Sequence, residues 1–196
     1  KIQHEAAMVT PDGMPLVIVA RMRGHHDIQR VSGADLMEAV CDASQQTGAR
    51  HFFYGGKEGV AEQLIANLVR RYPRMQVAGH YCPPFRPPTP EEDAATTDMI
   101  RGSGAQIVWV GISTPKQEFW MRDHVAQLPG ATLLGVGAAF DFHAGMVKRA
   151  PLWMQRASLE WLHRLASEPR RLWRRYLIMA PQFVWRVALE NSRLRR

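Results

Sequence analysis

Three consecutive polar residues, Lys116, Gln117 and Glu118, follow a buried-strand pattern and are predicted to lie in the first turn of a helix at the strand's carboxyl end. Residues 107–110 are four apolar positions bounded by Gly111, which predicts a buried strand. Ser113 and Pro115 then predict a helix start, with a hydroxyl cap and a proline near the first turn. Ligands of open α/β sheets bind at such strand ends, and free N–H groups suit an anion. An ordinary junction with a solvated polar turn explains the same spacing, because no dinucleotide or P-loop glycine pattern is present.

A second candidate for chemistry is Asp12, which lies between proline and glycine residues in the run TPDGMP at positions 10–15. A carboxylate held on a tight turn could act as a general base. Asp-Gly is also among the commonest turn dipeptides, so a purely structural turn remains the alternative. His25 and His26 suggest a metal only weakly, since no second ligand cluster has suitable spacing.

The elements around these residues alternate between strand and helix patterns. This alternation predicts an α/β fold with a mainly parallel, Rossmann-like sheet flanked by helices. The predicted strands are 16–20, 50–54, 75–78, 107–110 and 131–137, and the predicted helices are 36–46 (capped by Ser32 or Asp35), 59–71, 90–101 and 118–127. Three junctions then lie at strand carboxyl ends, where one ligand could contact all of them: Gly55-Gly56, residues 113–117 and Phe140-Asp141.

The carboxyl-terminal quarter differs from the rest in charge. The chain has 196 residues and a formal charge of +7, but residues 148–196 alone hold 12 Lys/Arg against 3 Glu. They also hold four of the six tryptophans. Basic residues interleaved with aromatics suit a membrane surface or nucleic acid, although a solvated helix face gives the same pattern. We therefore predict an α/β core at 1–147, with its nucleotide-binding half at about 49–147, and a basic helical appendage at 148–196.

Within the appendage, helices are predicted at 152–167 and 170–179, with breaks at Pro169 and Pro181. Its arginines can bind phosphate in bidentate fashion. The longest apolar runs, 131–140 and 176–185, are too short to span a bilayer. Two cysteines form no disulfide framework, which favours a reducing cytosol.

Six blocks in order resemble the WecG/TagA/CpsF family of bacterial glycosyltransferases. They are TPDGMP at 10–15, RVSGADL at 30–36, FFYGGKEG at 52–59, VGISTPKQEFWM at 110–121, GVGAAFDFHAG at 135–145, and RAPLWMQRASLEWLHRLASEPRRLWRRY at 149–176. The resemblance covers nearly the whole chain. Members of this family normally begin some tens of residues before the first of these blocks, with a segment containing a strand that contributes to the pocket. The chain, which begins with Lys1, is therefore expected to be a truncated form of a longer product.

The resemblance implies an inverting transfer of a sugar, N-acetylmannosamine or another hexose, from a UDP-sugar to a polyprenyl-diphosphate-linked sugar. Such products feed surface polysaccharides and teichoic acids. The reaction would take place peripherally on the cytoplasmic face of the membrane and would need no metal or other cofactor, in agreement with the lack of an obvious DxD element.

The resemblance also implies roles for individual residues. Asp12 matches the candidate base, and Arg30 and Gln117 match the other catalytic candidates. UDP-sugar contacts are expected at Gly55, Gly56, Ser113, Pro115, Lys116, Phe140 and Asp141. Membrane or diphosphate contacts are expected at Arg156, Arg164, Arg170, Arg171 and Arg174.

Two other functions fit parts of the sequence. A Rossmann-like nucleotide-binding oxidoreductase would need a G-x-G-x-x-G after a strand, which is absent. A nucleic-acid-binding protein could use the basic tail, but no helix-turn-helix, zinc or RNP signature accompanies it, and no nucleic-acid partner is expected.

Overall fold

The computed structural model describes residues 2–194, apart from the side chains at 152, 156, 171, 175, 188 and 190–194. The described chain forms two units. The first contains the residues up to Thr10 together with Val31–Val147, and the second contains Pro11–Arg30 together with the residues from Lys148 onward. The inclusion of residues 11–30 in the second unit was not predicted from the sequence.

A parallel sheet organises the first unit. Its strands are β1 (Arg50–Gly55), β2 (Gln76–Tyr81), β3 (Ile107–Gly111) and β4 (Thr132–Gly135), in the order β2-β1-β3-β4. All three strand pairings are parallel, and Gly55 lies opposite Gly111 in the register of β1 and β3. The predicted Rossmann-like sheet is confirmed, with strand bounds within a few residues of those expected.

Helices cover both faces of the sheet. The helices of this unit are α1 (Ile2–Glu5), α3 (Gly33–Thr47), α4 (Val60–Arg71), α5 (Pro90–Ser103), α6 (Lys116–His124) and α7 (Ala139–His143), with a 3₁₀ turn at Val125–Gln127. Phe53 and Trp109 pack with α3, α4 and α7. Phe52 and Tyr54 point to the other face and pack with α5 and α6. The alternation of neighbouring strand residues between two apolar layers is what a sheet buried on both sides requires.

The second unit is helical. Its helices are α2 (Met14–Met22), α8 (Leu152–Arg156), α9 (Glu160–Ser167), α10 (Pro169–Trp173) and α11 (Ala180–Leu194), with a π-helical segment at Arg174–Met179. The predicted break at Pro169 is confirmed, since α9 ends at Ser167 and α10 begins at Pro169. Within the described part of the chain, no helix combines the length and apolar character needed to cross a bilayer.

Three local predictions in this unit are wrong. Residues 16–20 are helical, not a strand, because Pro15 sits in the first turn of α2, where its fixed φ and missing N–H suit a helix start. Pro181 does not end the helix, because the π-helical segment finishes at Met179 and places Pro181 in the first turn of α11. The predicted helix 152–167 is also interrupted, since Ser158 has a left-handed φ of 63° between α8 and α9.

Helix α3 begins earlier than predicted, but its cap is confirmed. The Asp35 amide donates to the Ser32 hydroxyl at 3.2 Å, so Ser32 is the N-cap residue. The carboxylate of Asp35 also accepts from that hydroxyl at 2.7 Å. These two hydrogen bonds between Ser32 and Asp35 fix the start of α3.

A buried histidine makes the first unit sensitive to acid. His51 is fully buried, and its Nδ1 accepts the indole N–H of Trp109 at 2.9 Å, which fixes the neutral ring. Burial lowers the pKa of His51 from its ordinary 6.5 to about 4. The unfolded chain therefore binds a proton more readily than the folded one, and the free energy of unfolding falls as the pH drops from about 6.5 towards 4.

We predict that wild type loses about 2 kcal/mol more stability than His51→Gln between pH 7 and pH 5, because glutamine can accept the indole N–H without titrating. Urea denaturation of both proteins at the two pH values measures the difference. Equal pH dependence in the two proteins would show that His51 does not control it.

Candidate functional site

The carboxyl ends of β1 and β3 approach each other more closely than side chains would allow. Gly55 has a left-handed φ of 127°, and a Cβ built on it would lie 2.6 Å from the carbonyl carbon of Gly111. The Gly56 amide then donates to the Gly111 carbonyl at 3.2 Å. Only glycine fits at Gly55, for both conformation and space, so this pair of strand ends presents bare backbone.

Phe140 closes the floor of this region. Its ring would lie 2.8 Å from a Cβ placed on Gly111 and 3.4 Å from one placed on Gly56, and it is 1% exposed. Asp141 follows it and is half-buried, with no hydrogen-bond donor to its carboxylate among the described residues. The structure thus brings Gly55, Gly56 and Phe140 into one cluster, and Asp141 adjoins it.

Gln117 lies at the junction formed by residues 113–117, and its side chain is near the end of β4. The residue is 6% exposed, and a Cβ at Gly135 would lie 3.1 Å from its Nε2, while one at Gly137 would lie 3.6 Å from its Oε1. Within the described chain its buried Oε1 has no hydrogen-bond partner. A buried acceptor left unpaired costs about 1–3 kcal/mol, which a bound donor group would recover.

Glu118 adds a second acceptor, which the sequence placed in the first turn of the helix but not among the expected UDP-sugar contacts. Thr114 donates its hydroxyl to Oε1 at 2.9 Å, and Gln117 Nε2 donates to the same oxygen at a longer 3.4 Å. The other carboxylate oxygen, Oε2, is buried and has no hydrogen-bond partner among the described residues. Two adjacent acceptors of this kind suit hydroxyl or N–H groups, as on a sugar or a nucleobase. Its predicted position in the first turn after the strand was the signal that could have indicated this role.

The start of α6 differs from the predicted anion site. Ser113 has a left-handed φ of 72°, and Pro115 occupies the N-cap position without a side-chain cap, so the predicted hydroxyl cap is wrong. The Gln117 amide already donates to the Ser113 carbonyl at 3.0 Å. Fewer free N–H groups therefore remain than a regular helix start offers. Lys116 is exposed and supplies the cation there.

Asp12 and Arg30 belong to the second unit. Asp12 is exposed and directly precedes Gly13, whose extended backbone forms the N-cap of α2, so the predicted tight turn is instead a helix start. Arg30 donates to the Glu160 carboxylate at 3.0 Å, and Arg149 lies 3.5 Å from the other oxygen of that carboxylate. Guanidinium groups can bind phosphate through charge-assisted hydrogen bonds. Glu160 and Arg149 were not identified from sequence, because the ion pair joins positions 130 residues apart.

The appendage exposes both its cations and its tryptophans. Arg170 and Arg174 are exposed, Arg164 is half-buried, and Arg156 and Arg171 lie outside the described side chains. The four tryptophans of this segment have 41–66% of their surface exposed: Trp153, Trp161, Trp173 and Trp185. Arg174 also lies over the Trp173 ring, 5.8 Å from its centroid. Exposed indole rings beside guanidinium groups are typical of surfaces that meet the headgroup region of a membrane.

The described residues include no group of three or more His, Cys, Asp or Glu side chains that could hold a metal ion. Metal independence stays a prediction, and the chemistry must be tested directly. The groups that can act on a ligand are therefore the acceptors at Gln117 and Glu118, the cation at Lys116, the Asp12 carboxylate and the Arg30–Glu160–Arg149 cluster.

Comparisons with known proteins agree with the sequence resemblance. A family model described as "Glycosyl transferase WecG/TagA/CpsF family" matches residues 1–196. A Bacillus spizizenii protein named N-acetylglucosaminyldiphosphoundecaprenol N-acetyl-beta-D-mannosaminyltransferase is 33% identical over 186 residues. The match covers 95% of this chain and 70% of that relative.

Proposed function

The chain belongs to the WecG/TagA/CpsF glycosyltransferase family, and on that premise we propose that it transfers a sugar from a UDP-sugar to a polyprenyl-diphosphate-linked acceptor. The Bacillus relative's name supports an acceptor of the N-acetylglucosaminyl-diphosphoundecaprenol type and an N-acetylmannosamine donor. The observation that carries the proposal is the convergence of bare strand ends around buried, unpaired acceptors at Gln117 and Glu118. A sugar nucleotide offers hydroxyl and N–H donors for such acceptors.

The oxidoreductase and nucleic-acid-binding alternatives are not favoured, because neither accounts for family membership over the whole chain. In the proposed reaction the acceptor hydroxyl attacks C1 of the donor sugar as the bond from C1 to the diphosphate oxygen breaks. The configuration at C1 inverts. The hydroxyl proton goes to the Asp12 carboxylate, and the electron pair of the broken bond stays on the departing UDP.

Negative charge develops on the departing diphosphate and must be stabilised. Lys116 is the cation of the first unit that we assign to this role, since charge-assisted hydrogen bonds to phosphate are strong. In the second unit, Arg30, which pairs with Glu160, remains the catalytic candidate that the family resemblance implies. Gln117 would hold the donor through its unpaired oxygen.

We predict that Asp12→Asn lowers the turnover at least about a hundredfold, because a positioned general base contributes about 10²–10⁴-fold. UDP affinity should not change, since the carboxylate acts on the acceptor. Initial-rate transfer assays and UDP titrations on the same preparations measure both quantities. Asp27→Asn is the matched control, because Asp27 is exposed in the same unit. Asp12→Asn turnover within tenfold of wild type would remove Asp12 from the role.

We also propose that the appendage holds the protein peripherally at the inner face of the cell membrane, where a polyprenyl-linked acceptor lies. The exposed tryptophans and arginines support this placement. A basic residue near an anionic leaflet contributes about 1 kcal/mol to binding, which salt weakens.

Sedimentation with anionic vesicles measures the partition coefficient of the protein. That coefficient is expected to fall about fivefold for each of Arg170→Gln and Arg174→Gln, and to fall for wild type as salt is raised. Arg74→Gln, an exposed arginine of the first unit, is the matched control and should sediment like wild type. Sedimentation that ignores salt, lipid charge and both substitutions would refute the membrane assignment.

A further inference from the structure

The proline-rich segment at residues 82–89 crosses the carboxyl end of the sheet. It leaves β2, the edge strand, and the ring of Phe85 lies 5.6 Å from the Lys116 ammonium at the start of α6. Helix α6 follows β3, and β1 lies between β2 and β3. The segment therefore passes over the end of β1, where Gly55 and Gly56 form the proposed donor site.

Both ends of this segment are fixed. The Cys82 thiol donates to the Gly56 carbonyl at 3.3 Å, and burial raises the pKa of that thiol, which keeps its proton in place. At the other end, Arg86 donates two hydrogen bonds of 2.6 Å to Glu92. These bonds hold the pKa of Glu92 at about 2. Prolines at 83, 84, 87 and 88 restrict the backbone between the two anchors.

Phe85 stands out on this stiff segment because its side chain is 96% exposed. A phenyl ring gains nothing for folding in this position, since almost none of its apolar surface is removed from water. Its neighbour, Lys116, is positively charged and would attract a diphosphate. An aromatic face beside an ammonium group matches a sugar nucleotide, in which a diphosphate carries a hexose on one side and, through a ribose, a flat base on the other.

We propose that Phe85 and Lys116 together form one contact surface for the sugar-nucleotide donor. The Lys116 ammonium binds the diphosphate, and the Phe85 ring stacks either on the uracil, which the ribose links to that diphosphate, or on the apolar face of the hexose. The inference rests on the proposed use of a UDP-sugar. It assigns a binding role to Phe85 and to the proline-rich segment, neither of which sequence analysis placed in the site.

Calorimetric titration of the full chain with UDP and with UDP-N-acetylmannosamine tests the proposal. Phe85→Ala is expected to weaken at least one ligand about fivefold or more, as loss of a stacking platform does. Weakening of both ligands assigns the ring to the uracil, and weakening of the UDP-sugar alone assigns it to the hexose. Phe85→Tyr keeps the aromatic face and should restore wild-type affinity.

The matched control is Phe119→Ala. Phe119 is a 47% exposed ring on α6 with the Arg122 guanidinium 5.3 Å from its centroid, so it has the same kind of contact without the proline-rich segment. Phe85→Ala should melt at the wild-type temperature, because an exposed ring contributes little to folding.

Unchanged affinity of Phe85→Ala for both ligands, with wild type binding them, overturns the inference and leaves the proposed function intact. A wild-type chain that binds neither ligand overturns both.

Discussion

The approach of β1 to β3 at Gly55 and Gly111 is the constraint on which the rest of the candidate site depends. A side chain at Gly55 would overlap the backbone of β3, and one at Gly111 would overlap the Phe140 ring. The two strand ends therefore stay bare, and Phe140 can seal the floor beneath them. A ligand at this edge meets backbone and the short helix starts that follow each strand, as in other open parallel sheets.

Around that floor the first unit leaves polar groups unsatisfied where a folded core would normally pair them. The acceptors of Gln117 and Glu118 are buried and unpaired among the described residues, whereas the buried hydroxyls of Thr96 and Thr97 on α5 both donate to backbone carbonyls. Lack of a partner is not confined to this region, because the buried Nε2 of His51 and Nε1 of Trp120 are also unpaired within the described chain. What distinguishes Gln117 and Glu118 is that both offer acceptors at the first turn after β3. Unpaired buried acceptors reduce the stability of the free protein, and a ligand that donates to them recovers that energy.

The sequence predicted the sheet well, because the central strands β1 and β3 are short apolar runs that end in glycine and are largely buried. The outer strands β2 and β4 are only exposed or half-buried. The sequence failed at residues 16–20, where the same kind of apolar run is a helix and only Val17 of those five is buried. Periodicity cannot separate a short strand from a short helix, and the proline in the first turn was the signal to weigh more heavily.

Only part of the site was predicted, because a sequence pattern reports on local structure and not on contacts between distant residues. Strand ends can be read from local patterns, so Gly55, Gly56 and Phe140 were placed together correctly. The partners of Arg30, the unpaired oxygen of Glu118 and the crossing of residues 82–89 over β1 depend on contacts between distant parts of the chain. No local spacing encodes them, and the left-handed Ser113 altered the start of α6 in a way that residue type did not indicate.

Thermal unfolding of the chain with UDP, ADP and NAD at matched concentrations tests most directly whether this edge of the sheet binds a uridine nucleotide. A ligand that binds only the folded state stabilises it by about 2.7 kcal/mol at a hundred times its dissociation constant. The account predicts that UDP raises the midpoint, that a UDP-sugar raises it further, and that ADP and NAD leave it unchanged. A shift with NAD or ADP equal to that with UDP, or no shift with UDP or any UDP-sugar, would contradict it.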